Sequence, residues 1–156
     1  MNLKIFWVGK TKNASIRELS TDYLQRLRRW IPCQVVEIRD LSKGRGLLGA
    51  RLVEAEGVEI ARSLADGSKV VALDGAGRQL SSLEFARWLE AEQNRGTREI
   101  AFVIGGPEGL STAILDRANL RLSLSRMTWT HEMCRVLLLE QVYRAYSILR
   151  HIPYHK

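Results

Sequence analysis

With 156 residues, 46% of them hydrophobic and 26% charged, the chain has the length and composition of one soluble domain, 1–156, with a substantial core. The formal net charge of +7 is unevenly placed: residues 1–31 and 117–156 each sum to +5, and the stretch between them to −3. No run approaches a membrane span. Leu3–Val8 is too short for a secretion signal, and Cys33 and Cys134 lack metal-ligand or CxxC spacing, so a cytoplasmic, metal-free protein is expected.

In chain order, Leu3–Val8 reads as a first strand. A helix over about 15–30 follows, with Ile16, Leu19, Tyr23, Leu27 and Trp30 along one face. Cys33–Ile38 is a second strand. The polar segment 39–46 reads as a linker, and 47–65 as a helix stopped at Asp66-Gly67. Lys69–Leu73 is a third strand, ending at Asp74-Gly75-Ala76-Gly77. Ser81 with Glu84 three residues later is a capping box for a helix reaching about Asn94. Ile100–Val103 is a fourth strand, followed by a short helix from Ser111. Leu120–Leu124 is a fifth strand, and a long helix runs from about Thr130 to Arg150, where Pro153 stops it. Alternating strands and helices predict an α/β fold, with a mostly parallel sheet flanked by helices.

The last helix is apolar on more than one face. Met133, Leu137 and Ile148 cannot share a narrow stripe with Val136, Leu139, Tyr143 and Tyr146. That pattern suits either a homodimer interface or a central core helix.

Three strands end in permissive or polar loops: Leu73-Asp74-Gly75, Gly105-Gly106-Pro107-Glu108-Gly109, and Leu124-Ser125-Arg126-Met127-Thr128. Ligands of open α/β sheets sit outside the carboxyl ends of the strands, and glycines there let a ligand lie against the main chain. The first of these loops lacks the GxGxxG signature and no GxxxxGK[ST] sequence occurs anywhere, which argues against an ordinary dinucleotide or ATP site. There is also no GxSxG, HExxH or paired-carboxylate spacing. His131 opens the last helix, where the helix dipole disfavours its cationic form. The tail Ile152-Pro153-Tyr154-His155-Lys156 is unlike an ordinary flexible end, so Tyr154 and His155 are candidate functional residues. The two basic ends point to a polyanionic partner such as RNA. Two other classes stay open on the residues alone. A non-catalytic ribosome- or RNA-binding module would share the charge, and a nucleotide-binding metabolic enzyme would share the loops.

Several motifs in order along the whole chain carry a resemblance. They are Val8-Gly9-Lys10, the segment Ile104–Leu110, Leu122-Ser123-Leu124-Ser125 followed by Met127-Thr128, Glu140–Ala145, and Pro153-Tyr154-His155-Lys156. The chain resembles the bacterial ribosomal large-subunit pseudouridine N3-methyltransferases of the SPOUT superfamily. The resemblance implies a homodimer with a deep carboxyl-terminal trefoil knot, a topology that general folding rules would not suggest. It also implies S-adenosylmethionine held by Leu73, Gly105, Leu124, Ser125, Arg126, Met127, Thr128 and Trp129. The implied reaction is methylation of N3 of pseudouridine 1915 in 23S rRNA of the assembled 70S ribosome. Arg144 would fix a phosphate or carbonyl, Tyr154 and His155 would reach the substrate across the dimer, and His155 would accept the proton. The family's pattern has proline before the histidine that opens the last helix, where this chain has Thr130.

Overall fold

The computed structural model describes residues 1–44 and 46–154; Arg45, His155 and Lys156 lie outside the described residues. The elements are β1 (Asn2–Val8), α1 (Ala14–Arg28), β2 (Cys33–Ile38), α2 (Leu41–Gly44), α3 (Gly49–Ser63), β3 (Lys69–Gln79), α4 (Ser82–Asn94), β4 (Glu99–Ile104), α5 (Thr112–Arg117), β5 (Leu120–Ser123) and α6 (His131–Leu149). The strands form one sheet in the order β2-β1-β4-β3-β5, and each of these pairings is parallel. A parallel sheet needs cover on both faces. Alternation along β1 and β4 supplies two apolar faces. Leu3, Ile5, Trp7, Ile100, Phe102 and Ile104 pack in one core layer with residues of α1, α4 and α6. Phe6, Val8, Ala101 and Val103 point the other way and pack with Ile60 of α3 and Ile114 of α5.

The Ser81–Glu84 capping box is formed as the spacing predicts: Glu84 N–H donates to Ser81 Oγ and Ser81 N–H to the Glu84 carboxylate. Two expectations are corrected. The 39–46 segment is not all linker, because Leu41–Gly44 forms a turn of helix with Leu41 buried. The third strand does not end at Leu73 either: β3 continues to Gln79, with a register shift against β5 between Leu73 and Arg78. The Asp74–Gly77 turn is thus an irregularity inside a strand, one of the places where a sheet edge re-aims its side chains.

α6 lies over the sheet between α1 and α4. Val136, Leu139 and Tyr146 are buried there, whereas Met133, Leu137 and Ile148 stay half-buried, Ile148 against the edge of the same core. At its start Thr130 caps the helix, its hydroxyl accepting the Met133 N–H at 3.2 Å, with φ of −63°. That φ is one a proline also adopts, so the threonine keeps the backbone path and adds a cap.

Candidate functional site

The bend inside β3 at Leu73–Gly75 and the carboxyl ends of β4 and β5 open on one cleft of about 790 Å³. Leu73, Gly105, Leu124, Ser125, Arg126, Met127, Thr128 and Trp129 all line it, so the structure brings the eight residues expected at three strand ends to a single place. The size is within the range of sites for small organic ligands, about 300–1,000 Å³. Met127 and Trp129 stand at the rim, 74% and 41% exposed.

Each wall has a local cause. After β5 the chain turns on serines: Ser123 Oγ donates to the Ser125 carbonyl at 2.8 Å, and Ser125 Oγ accepts the Met127 N–H at 2.9 Å. The Gly105–Gly109 loop folds on itself, with Gly109 N–H donating to the Gly106 carbonyl at 3.0 Å. A Cβ on Gly105 would lie 2.6 Å from the Gly109 carbonyl oxygen and 3.1 Å from Leu110. The loop's own closure therefore dictates glycine at 105, a constraint beyond any close approach of a ligand. At Gly75, by contrast, a Cβ would meet nothing within 4 Å.

The fourth wall was not marked by the strand ends. Asn13, Ile16, His131 and Glu132 line the cleft where the β1–α1 turn meets the start of α6. Glu132 accepts the N–H groups of Lys12 and Asn13 at 2.8 and 3.0 Å. Burial opposes its charge, but these donors hold its carboxyl below the ordinary range. Asn13 in turn caps α1 through Ile16 N–H. Behind them Arg135 is fully buried, donating to Val8 O at 2.6 Å and to Thr11 Oγ1 at 2.8 Å, with its guanidinium 4.9 Å from the Trp7 ring. An asparagine just before a helix was the available signal for Asn13; nothing local marked Glu132.

His131 is half-buried in this wall. Burial, then the nearby Arg135 cation, push its imidazole below its ordinary value, so it is neutral at pH 7.

Arg144 and Tyr154 are elsewhere. Arg144 lies 13 residues along α6 from His131, on the order of 20 Å at the helical rise. His151 takes a left-handed conformation (φ 54°) at the end of α6 and turns the chain back. Tyr154 thereby packs edge-on to Tyr143 at 4.8 Å, and the Arg144 guanidinium lies 4.8 Å from the Tyr154 ring. Glu140 gathers the group. Its Oε1 accepts from Arg144 Nη2 at 2.6 Å, Arg144 Nε at 3.0 Å and Tyr154 OH at 3.1 Å. Burial, the Tyr23 hydroxyl 3.2 Å away and the Glu140 charge raise the Tyr154 phenol well above its ordinary range, so it is a proton donor at neutral pH. His155, the expected proton acceptor, lies outside the described residues. Thus the eight strand-end residues share one cleft, and Arg144 with Tyr154 form a second cluster that the same chain keeps apart from it.

Among the described residues no group of His, Cys, Asp or Glu is arranged to hold a metal, and no helix is long and apolar enough to cross a membrane. Cys33 and Cys134 are both free.

A family described as "Predicted SPOUT methyltransferase" matches residues 1–155. A protein of Porphyromonas gingivalis named ribosomal RNA large subunit methyltransferase H is 41% identical over 155 residues, covering 99% of both chains. Proteins of the same name from Geotalea daltonii and Clostridium acetobutylicum are also 41% identical, over 99% and 100% of both chains. Among solved structures, a methylase family protein from Neisseria gonorrhoeae superposes with a TM-score of 0.52 at 12% identity, covering 97% of this chain and 94% of its own. TrmJ from Z. mobilis ZM4 gives 0.52 at 10% identity, covering 93% of this chain and 70% of its own. At those identities the likeness is one of fold.

Proposed function

Since the chain belongs to the SPOUT methyltransferase family, we propose that it transfers a methyl group from S-adenosylmethionine to N3 of pseudouridine 1915 in 23S rRNA. It is a methyltransferase of large-subunit ribosomal RNA, like the full-length relatives about 41% identical to it. The observation that carries the finer reading is the single cleft on which the bend inside β3 and the ends of β4 and β5 converge.

The residues present suit this cofactor. Leu73, Ile104, Leu122 and Leu124 offer an apolar floor, while the main chain at Gly105, Ser125, Met127 and Thr128 offers hydrogen-bonding groups. Asp74 and Glu132 supply negative charge for a cationic ligand. When bound, S-adenosylmethionine supplies an activated methyl on a sulfonium, which needs no metal. The chain must then align the acceptor and take the imide proton from N3. His131, neutral and on the cleft wall, is the base the described residues offer there; His155 is the alternative from the tail.

Arg144 and Tyr154 act on the substrate from a second copy. Within one chain they lie too far along α6 to reach the cleft. The half-buried Met133, Leu137 and Ile148 give a second copy an apolar surface to cover. In the homodimer, Arg144 meets a phosphate or base carbonyl with fixed donors, and Glu140 holds it and Tyr154 in place. The same reading gives the carboxyl-terminal half the deep trefoil knot of this family. With one small domain per copy, shape recognition rests on the assembled 70S ribosome in the cytoplasm.

Mixed dimers test the composite site. Gly75→Phe fills the cleft from its edge, and Arg144→Ala removes the distant donor; each chain alone should be inactive. Mixed and allowed to exchange, they should recover about one quarter of the unmodified activity, because half the dimers carry one intact site. No recovery in dimers shown to have exchanged would refute a site shared between copies.

A further inference from the structure

Behind the Gly105–Gly109 loop, on the side away from the cleft, sits a carboxyl group that nothing above uses. Glu56 of α3 is only 5% exposed. Among the described residues no hydrogen bond or ion pair reaches its oxygens. It is pressed on the loop: a Cβ at position 106 would lie 3.2 Å from one oxygen and 3.6 Å from the other. A methyl at 106 would require the carboxyl to give by a few tenths of an ångström, so glycine gives the loop its closest seat against it. The next residue fixes the helix in place, because a Cβ on Gly57 would run into Ser111 Oγ, just past the loop's far end. Glu56 and Gly57 thus seat α3 against both ends of the segment that lines the cleft with Gly105, Gly106, Pro107 and Gly109.

The surroundings oppose a charge at Glu56. Asp40, from the link between β2 and α2, and Glu108, from the loop itself, both face it as anions. Lys12 and Lys43 face Asp40 instead, and Ser42 donates to Asp40 through its N–H and hydroxyl. The neighbours on and just before α5, Ser111 and Ile114, are uncharged. Burial first, then Asp40 and Glu108, push the Glu56 carboxyl up to about 7. An ionised carboxylate buried without a partner is costly, and here two like charges add to the cost.

We propose that Glu56 is a positioning residue for the cofactor loop: its neutral carboxyl is the support on which Gly106 rests, and loss of its proton releases the loop from the position that lines the cleft. The inference rests on the reading of that cleft as the S-adenosylmethionine site. The sign follows from which state prefers the proton. The seated loop favours protonated Glu56, and a released loop lets the group ionise in water. Raising the pH from the ordinary carboxylate range to about 7 therefore drains the binding-competent population, and apparent affinity falls with it and then levels off. Global stability moves the same way: it declines between the ordinary carboxylate range and about 7, then levels off.

The test uses the full chain and S-adenosylhomocysteine, which lacks the labile sulfonium, in calorimetric titrations from pH 6 to pH 8. The unmodified chain should lose about threefold or more in affinity across that range. Glu56→Gln, which keeps shape but cannot ionise, should bind with a nearly flat profile. Any contribution from His131 is common to both chains and cancels in the comparison. Parallel profiles in the two chains would overturn this inference alone; absence of binding by the unmodified chain at every pH would overturn the reading of the cleft and the inference with it. Hydrogen exchange of the unmodified chain gives a readout that needs no variant. Protection of the Gly105–Leu110 amides, corrected for intrinsic rates, should drop between pH 6 and pH 8, and constant protection would overturn the proposal.

Discussion

Replacing Arg135 with methionine keeps most of the side chain's bulk and removes the two bonds that tie α6 to the end of β1. The guanidinium donates to Val8 O and Thr11 Oγ1 from a fully buried position. Hydrogen bonds from a charged donor are each worth about 1.5–3 kcal/mol, and a desolvated cation over a tryptophan adds about 2 kcal/mol. Against this stands the several-kcal/mol cost of burying a cation, with Glu132 and Glu37 acting on it through space. The balance is a net loss of about 2 kcal/mol, which for a chain of this size lowers Tm by about 4–8 °C. Because the same β1–α1 turn carries Lys12 and Asn13 to Glu132 at the cleft wall, cofactor affinity should fall as well. Thermal unfolding of Arg135→Met, Thr11→Val and the double variant gives both the total and the coupling, expected at about 1 kcal/mol. A methionine variant as stable as the unmodified chain, with unchanged S-adenosylhomocysteine affinity, would refute the clamp.

Four further outcomes follow from individual contacts. Glu140→Gln should lower methyl transfer about tenfold or more through misplacement of Arg144 and Tyr154, while calorimetry shows cofactor affinity unchanged. Gly57→Ala should shift the denaturant midpoint down by the equivalent of about 1–2 kcal/mol, because overlap with Ser111 outweighs the better helix propensity. Ser125→Ala frees Met127 N–H from its turn and should weaken S-adenosylhomocysteine binding about threefold with little change in Tm. The acid limb of the kcat/KM profile should lie below the ordinary histidine value, because His131 is held neutral by burial and by Arg135; in His131→Gln that limb should disappear.

The elements that sequence periodicity captured are those whose cause is local. Cys33–Ile38 is a strand because its β-branched residues fit one, and the Ser81–Glu84 box starts α4 wherever the chain folds. The ends of β4 and β5 were legible for the same reason, since glycines and serines mark a turn in any context. What escaped depends on contacts distant in sequence. β3 runs past Gly77 because it finds β5 again after a register shift, an event no window of residues 69–79 contains. Glu132 joins the cleft only because the Lys12–Asn13 turn is brought to it. Nothing in the sequence near Glu56 marks its burial, which comes from a loop fifty residues later. Arg144 and Tyr154 meet on Glu140, and the length of α6 holds them away from the cleft of their own chain.

The most direct test of the account is the position of the methyl group. Ribosomes from cells lacking this protein would be incubated with the purified chain and methyl-labelled S-adenosylmethionine, and the 23S rRNA then digested and mapped by mass spectrometry. Label is expected on N3 of pseudouridine 1915, abundant with intact 70S ribosomes and scarce with protein-free rRNA. Label on another atom or nucleotide, or equal label on free rRNA, would contradict it.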